Sequence, residues 1–266
     1  MTADRHLAKV IIPIYTAQLT RYEHISLTQV CRVLSAYPLV VVKPKGLEID
    51  NLLQELPALT TESFDADYFR SVSSYNRLML STEFYQRFAD TQYILIYQLD
   101  AYIFRDELAE WCHRDYDYIG APWLVRPMYR FPLFVFTSWL KRQYCTLLGM
   151  PNSQVTHFKV GNGGLSLRKV SSHLRCTAEL QPVIRTYLSY KKNHIFNEDV
   201  FFSVEVNRHG MGFRYPDYHE ALLFSFDKYP ALCYRLTGGR LPFGCHGWYK
   251  RKMKQFWFPV ILPAHE

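Results

Sequence analysis

Tyr93-Ile94-Leu95-Ile96-Tyr97-Gln98-Leu99-Asp100-Ala101-Tyr102-Ile103-Phe104 is the stretch on which the fold turns. Its almost unbroken apolar run predicts a strand buried on both faces of a parallel sheet, where helices on each side leave no polar alternation. The run delivers one carboxylate, Asp100, at its end. In open α/β sheets ligands sit beyond the carboxyl ends of the strands, so a lone acid there is a site candidate. The plainer alternative is an aspartate that caps the following turn.

Immediately upstream, Ser73-Ser74-Tyr75-Asn76-Arg77-Leu78-Met79-Leu80 opens a helix. Leu78, Leu80, Phe84 and Phe88 fit helical spacing better than strand spacing, and the helix is predicted to run to about Ala89. Further back, Ala8 to Tyr15 reads as a strand and Tyr22 to Ala36 as a helix with Ile25, Leu27, Val30, Val33 and Leu34 on one face. Leu39 to Val42 reads as a second buried strand, ended by Lys43-Pro44-Lys45-Gly46. Strand, helix and strand at this spacing make a parallel unit with a right-handed crossover. Leu52 to Leu59 reads as a short helix and Glu62 to Phe69 as an edge strand or loop.

Downstream, Tyr116-Asp117-Tyr118-Ile119-Gly120-Ala121-Pro122-Trp123 reads as a short strand running into a fixed loop. An aromatic and basic insertion follows from Leu124 to Met150. Gly161-Asn162-Gly163-Gly164 then precedes a strand at Leu165 to Leu167; such a cluster lets backbone approach a ligand, or simply makes a tight turn. Asn197-Glu198-Asp199-Val200 places two acids at the start of an apolar helix, where acids are often only dipole partners. Near the end, Phe243-Gly244-Cys245-His246-Gly247-Trp248 frames one histidine between glycines, a backbone path suited to presenting its imidazole.

Composition narrows the partners. At 266 residues the chain can bury one large α/β core, and 48% hydrophobic with 21% charged residues is ordinary for a soluble protein. The 20 Tyr and 18 Phe are an excess that suits sugar binding, although most such rings belong to cores. A net charge of +7 suits an anionic partner, and the scattered basic residues form no nucleic-acid module, which places nucleic acid last. Six cysteines (31, 112, 145, 176, 233 and 245) without close pairing, and an N-terminal stretch without an apolar signal segment, imply reduced thiols and a cytoplasmic protein. No run is apolar enough to span a bilayer. Two patches suit peripheral contact with an anionic membrane, on the inner face of the cell membrane: Phe131 to Leu140 before Lys141-Arg142, and Phe256 to Leu262 after Arg251-Lys252-Met253-Lys254.

In order, these segments resemble a bacterial glycosyltransferase-like family of the DUF5672 type, of GT-A fold. Val10 to Tyr15, Tyr75-Asn76-Arg77-Leu78, Tyr97 to Tyr102, Tyr116 to Trp123, Gly161 to Gly164, Asn197 to Val200 and Phe243 to Trp248 carry the likeness, nearly end to end. The resemblance implies one α/β domain over 1–266 with a mostly parallel central sheet flanked by helices. A Rossmann-like nucleotide-sugar-binding half would cover about 8–110. An acceptor half with a basic and aromatic C-terminal tail would cover about 111–266.

The resemblance also implies roles. Tyr15 would line the nucleotide base, and Tyr75 and Arg77 would serve the donor, with Arg77 on the diphosphate. Asp100 would touch the donor ribose or, with His246, hold a divalent metal, Mn²⁺ or Mg²⁺, although Tyr102 stands where related enzymes carry the second acid of Asp-x-Asp. Gly163 and Gly164 would border the donor sugar. Asp199, or failing it Glu198, would deprotonate the acceptor, which implies inversion at the anomeric carbon. The implied activity is transfer from a nucleotide-diphosphate sugar, a UDP-sugar by preference, to a glycan or lipid-linked glycan in bacterial surface polysaccharide synthesis. The alternative is a non-catalytic sugar or nucleotide binder on a decayed scaffold of the same fold.

Overall fold

The computed structural model describes residues 7–56, 58–125, 132–147, 153–190 and 196–265. The polar lead Met1 to His6, Phe131, and parts of the Leu124–Met150 insertion lie outside the described residues, as do the side chains of Arg142 and Cys145. Strands are β1 (Ala8–Pro13), β2 (Leu39–Pro44), β3 (Leu59–Phe64), β4 (Tyr93–Tyr97), β5 (Ala101–Ile103), β6 (Tyr118–Gly120), β7 (Leu165–Lys169), β8 (Ser225–Phe226) and β9 (Gly244–His246). Helices that matter below are α1 (Arg21–Val33), α2 (Val72–Met79), α3 (Thr82–Arg87), α4 (Pro132–Leu147), α5 (Glu198–Val200) and α6 (Lys254–Ile261).

A six-stranded sheet runs in the order β3-β2-β1-β4-β7-β6, with β3, β2, β1 and β4 mutually parallel and β7 antiparallel to both its neighbours. The pleat explains the unbroken apolar runs. Val10 and Ile12 of β1 and Leu95 of β4 face the cluster that includes Leu27, Val30 and Leu34 of α1 and its C-terminal turn. Ile11, Ile94 and Ile96 face the opposite cluster, with Leu78, Phe84 and Phe88. Helix α1 starts at a capping box in which Thr20 and Glu23 satisfy each other's backbone N–H groups.

The structure departs from the expected elements in two informative places. The predicted helix to Ala89 is two helices, because Ser81 caps α3 and the chain turns at Leu80–Ser81. The Tyr93–Phe104 run is likewise two strands. After β4 the chain turns through Gln98–Asp100, and β5 joins a separate three-stranded sheet, β5-β9-β8. Asp100 therefore stands in a turn at a sheet junction, with its carbonyl accepting from Gly247 N–H at 2.7 Å.

The basic, aromatic C-terminal tail folds back onto the first half. Trp248 donates from Nε1 to Ser26 Oγ of α1 at 2.9 Å. Trp257 and Ile261 of α6 are fully buried with Tyr102, Phe226 and Trp248. Within Phe256 to Leu262, Trp257 and Ile261 are thus core, while Pro259 and Val260 remain exposed. Tyr102 belongs to the same core, its hydroxyl 2.9 Å from His265 Nε2, and does not point toward the ends of β1 and β4. Cys31, Cys112, Cys176, Cys233 and Cys245 are free thiols. No helix among the described residues is long and apolar enough to cross a membrane.

Candidate active site

Strand order diverges between β1 and β4, where β1 is followed by β2 on one side and flanked by β4 on the other. A crevice opens there beyond the strand ends, as the doubly wound topology requires. It is a continuous groove in two parts. The larger, about 360 Å³, is lined by Tyr15, Tyr75, Asn76, Gln98, Gly163, Gly164, Asn197, Glu198 and Asp199 among others. The smaller, about 140 Å³, is lined by Tyr15, Gln98, Asp100, Tyr249, Lys250 and Glu23 among others. Tyr15 and Gln98 belong to both, and Tyr15 is 58% exposed, leaving its ring free to cover a ligand.

At the smaller end Asp100 is held by two cationic partners. Its Oδ1 lies 2.9 Å from His246 Nε2 and its Oδ2 lies 2.7 Å from Lys250 Nζ. Burial would raise its pKa, but the His246 and Lys250 charges outweigh burial and hold the carboxyl well below the usual range. For His246 burial would lower the pKa, yet Asp100 and Asp227 lift the imidazole to about 9. Asp227 Oδ1 stands 3.2 Å from His246 Nδ1, and Asn162 Nδ2 stands 2.9 Å from the same nitrogen. With the ring charged, Asp227 is the acceptor for Nδ1–H; with Nδ1 bare, the Asn162 amide is the donor.

At the larger end the two adjacent acids have different fates. Glu198 is buried against Arg168, whose Nη2 lies 3.1 Å from Glu198 Oε1 and whose Nε and Nη1 donate to Ser166 Oγ and Tyr85 Oη at 3.1 and 2.9 Å. The fully buried guanidinium also lies over the rings of Tyr118 and Phe202. Asp199 has no such counter-ion. It accepts from Val200 N–H at 2.8 Å and Asn162 N–H at 3.2 Å. Burial first, and the Glu198 charge second, push its pKa up to about 7 despite those donors. A π-helical turn, Phe201–Glu205, follows immediately and locks this corner of the cleft.

The glycines act through what they leave out. A Cβ on Gly163 would come within 1.9 Å of Glu198 Oε1, and one on Gly164 within 2.2 Å of His246 Nε2. Asn162, with φ of 67°, takes the left-handed conformation that asparagine tolerates. Its Oδ1 accepts from Gly164 N–H at 3.0 Å, which fixes the amide and aims Nδ2 at His246.

Tyr15, Tyr75, Asp100, Gly163, Gly164, Glu198 and Asp199 line one groove, and His246 stands behind it against Asp100. Arg77 does neither. It is exposed on the outer side of α2, with its Nη2 3.5 Å from Asp67 O and its guanidinium 5.6 Å from the Tyr68 ring centroid. The helical turn that points Tyr75 and Asn76 inward points Arg77 outward. This corrects its expected place on the donor. Sequence reasoning passed over Asn76, which donates from Nδ2 to Asn197 Oδ1 at 3.1 Å and so anchors the start of α5. It also passed over Gln98, Asn162, Arg168, Asp227 and Lys250. The glycines beside Asn162, and the spacing of Lys250 from His246 across Gly247, were the available signals.

A divalent cation here would have Asp100 Oδ1 and His246 Nε2 as protein ligands. Both atoms are buried, and their 2.9 Å contact lacks the alignment of a hydrogen bond. Adjacent corners of an octahedron with bonds of about 2.1 Å lie about 3 Å apart, so the spacing fits two neighbouring ligand positions. Asp227 behind Nδ1 matches the carboxylate that commonly orients a metal-bound histidine. No cluster of three or more His, Cys, Asp or Glu able to hold an ion occurs among the described residues. The donor set therefore fits an ion whose remaining positions are filled by phosphate oxygens and water.

Residues 58–246 match the family described as protein of unknown function (DUF5672), and the chain belongs to that family. Comparison with curated proteins gives no match. Among solved structures, the chain is similar to the galactosyltransferase LgtC in complex with donor and acceptor sugar analogs, at 12% identity and TM-score 0.55, over 96% of this chain and 94% of that one. It is similar to the bifunctional glycosyltransferase WbbM at 16% identity and TM-score 0.51, over 92% of this chain and 46% of that one. The glycosyltransferase GlyE of Streptococcus pneumoniae TIGR4 aligns at 13% identity and TM-score 0.51, over 96% and 60%. The fold is thus that of the GT-A glycosyltransferases.

Proposed function

We propose that this protein transfers a glycosyl group from a nucleoside-diphosphate sugar to a hydroxyl of a glycan acceptor, with inversion and with Asp199 as general base. The observation that carries the reading is the groove's polarity. One end holds a half-buried carboxylate raised toward neutrality, and the other holds the Asp100, His246 and Lys250 cluster. Glycosyl transfer needs these two ends: a base for the acceptor hydroxyl and positive charge for the departing diphosphate.

Tyr15, shared by both parts of the groove, covers the nucleoside portion of the donor. Lys250 and the His246 imidazolium neutralise the leaving diphosphate as the bond from the anomeric carbon to its oxygen breaks. Alternatively, Asp100 and a neutral His246 would hold Mn²⁺ or Mg²⁺, which would supply Lewis-acid neutralisation of the leaving diphosphate in place of the imidazolium. Asp199 takes the acceptor proton while the acceptor oxygen forms the new glycosidic bond. The buried ion pair with Arg168 occupies Glu198, which leaves Asp199 to take the acceptor proton. Asp199, raised by burial, is matched to a general base working near neutral pH.

Two observations favour a second reading, a binder without turnover. Lys250 already occupies Asp100 Oδ2, and Tyr102 is turned into the core, so the metal-binding capacity is small. A thermal-shift screen of nucleotide sugars, UDP-sugars first, with and without Mn²⁺ identifies the donor in either case; a ligand at a hundred times its Kd adds about 2.7 kcal/mol. Release of free nucleoside diphosphate from the bound donor then separates transferase from binder. No stabilisation by any nucleotide sugar would remove the proposal.

A further inference from the structure

We propose that α4, Pro132–Leu147, is an interfacial helix that seats the protein on an anionic lipid surface. Leu133, Phe136, Leu140, Tyr144 and Leu147 recur at helical spacing with Trp139 beside them, so they share one face. All six are exposed: Leu133 is 70%, Trp139 50% and Leu147 84% accessible. Phe136 and Trp139 stack on each other, with centroids 6.2 Å apart. An apolar face of this size on a soluble surface calls for a cover.

Charge and chemistry select the cover. The sixteen residues of α4 contain no acid, and Lys141, exposed, flanks the apolar face next to Phe134. The chain as a whole carries +7. A second copy would bring the same net charge and, along this helix, no carboxylate to meet Lys141. An anionic headgroup layer meets that charge, while the Trp139 and Tyr144 rings suit the boundary between headgroups and acyl chains. At about 1.5 Å per residue the helix is about 24 Å long, a length suited to lying in the surface plane.

The helix is also coupled to the groove. The insertion that carries it closes at its root, where Trp123 N–H donates to Lys159 O at 2.9 Å and Phe158 N–H to Trp123 O at 3.0 Å. Gly161 to Gly164 follow directly and reach the groove wall at Gly163 and Gly164. The docking stands whether or not the transfer chemistry does.

The test is co-sedimentation of the full chain with phosphatidylcholine vesicles, with and without phosphatidylglycerol. The parent is expected to sediment with the anionic vesicles and to be released by salt. The Phe136→Glu/Trp139→Glu/Leu140→Glu variant is expected to lose that binding while keeping its melting temperature, because the replaced side chains are exposed. Should that variant fail to fold, brominated-lipid quenching of the parent, abolished by Trp139→Phe, gives the same information. A parent that ignores anionic vesicles, or a triple variant that binds them equally, overturns the proposal. So does a parent dimer that the triple variant turns into a monomer, which would assign the face to a second copy.

Discussion

The side-chain amide of Asn162 reaches Nδ1 of His246 at 2.9 Å across 84 residues of sequence. The backbone N–H of the same asparagine donates to Asp199 at 3.2 Å. One left-handed residue therefore couples the two ends of the groove, the carboxylate proposed as base and the imidazole proposed to meet the diphosphate. Asn162→Gly keeps the backbone conformation and removes the amide, so donor affinity should fall while Asp199 stays in place. Asn162→Ala adds strain at a positive φ, of order 1 kcal/mol or more, and should lower the melting temperature as well. Calorimetric donor titration beside thermal melting distinguishes the two; equal behaviour of both variants would place the function of Asn162 in its backbone alone.

Replacing Asp199 by Asn removes the base without emptying the groove. Turnover should fall by about 10²–10⁴ with donor Kd nearly unchanged. In the parent, kcat should rise with pH through the region of about 7 as the carboxyl, raised by burial and by Glu198, gives up its proton. A flat profile across that region would assign the base elsewhere.

His246 links folding to pH. Its folded pKa of about 9 exceeds the ordinary value near 6.5, so its stabilising contribution is full below about pH 6.5 and is lost as pH rises through about 9. Asp199, also raised, loses stability in the same direction over a lower window, from its ordinary carboxylate range up to about 7. The metal-free protein should melt at lower temperature as pH rises between those limits, and His246→Gln should flatten the upper part. An unchanged slope in His246→Gln would mean that the imidazole is not charged in the fold.

The glycine pair separates the two ends. Gly163→Ala should disturb the Glu198–Arg168 contact, because the new methyl meets Glu198 Oε1 at 1.9 Å. Breaking that buried pair outright, as in Arg168→Met, should cost about 3–5 kcal/mol, since an unpaired buried carboxylate is left behind. Gly164→Ala instead displaces His246 and Gln98, so it should weaken donor and Mn²⁺ binding more than folding. Chemical denaturation and metal titration of the three variants report this division directly.

How much of this was legible in the sequence follows from what each signal measures. The buried runs of β1, β2 and β4 announce a parallel sheet because both of their faces are covered, and Asp100 was marked by its place at the end of such a run. Gly163, Gly164, Asp199 and His246 were visible because glycines and clustered acids break pattern. Arg77 was misplaced because a motif on a short helix does not say which side faces the groove; only the packing of Leu78 and Asn76 decides that. The break between β4 and β5 was hidden because both segments are apolar for different reasons, one between helices and one against the returning C-terminal tail. Arg168 was illegible for a simpler cause: nothing local says that a strand arginine will be fully buried against Glu198, thirty residues later.

The central claim is that this groove transfers a glycosyl group with Asp199 as base. The most direct measurement is phosphorus NMR of nucleoside-diphosphate release from the donor found by thermal shift, with proton NMR of the sugar product, in parent and Asp199→Asn. The account predicts release by the parent, product of inverted anomeric configuration, and near-complete loss in the variant with donor still bound. Retention of configuration, or equal release by parent and variant, would contradict it.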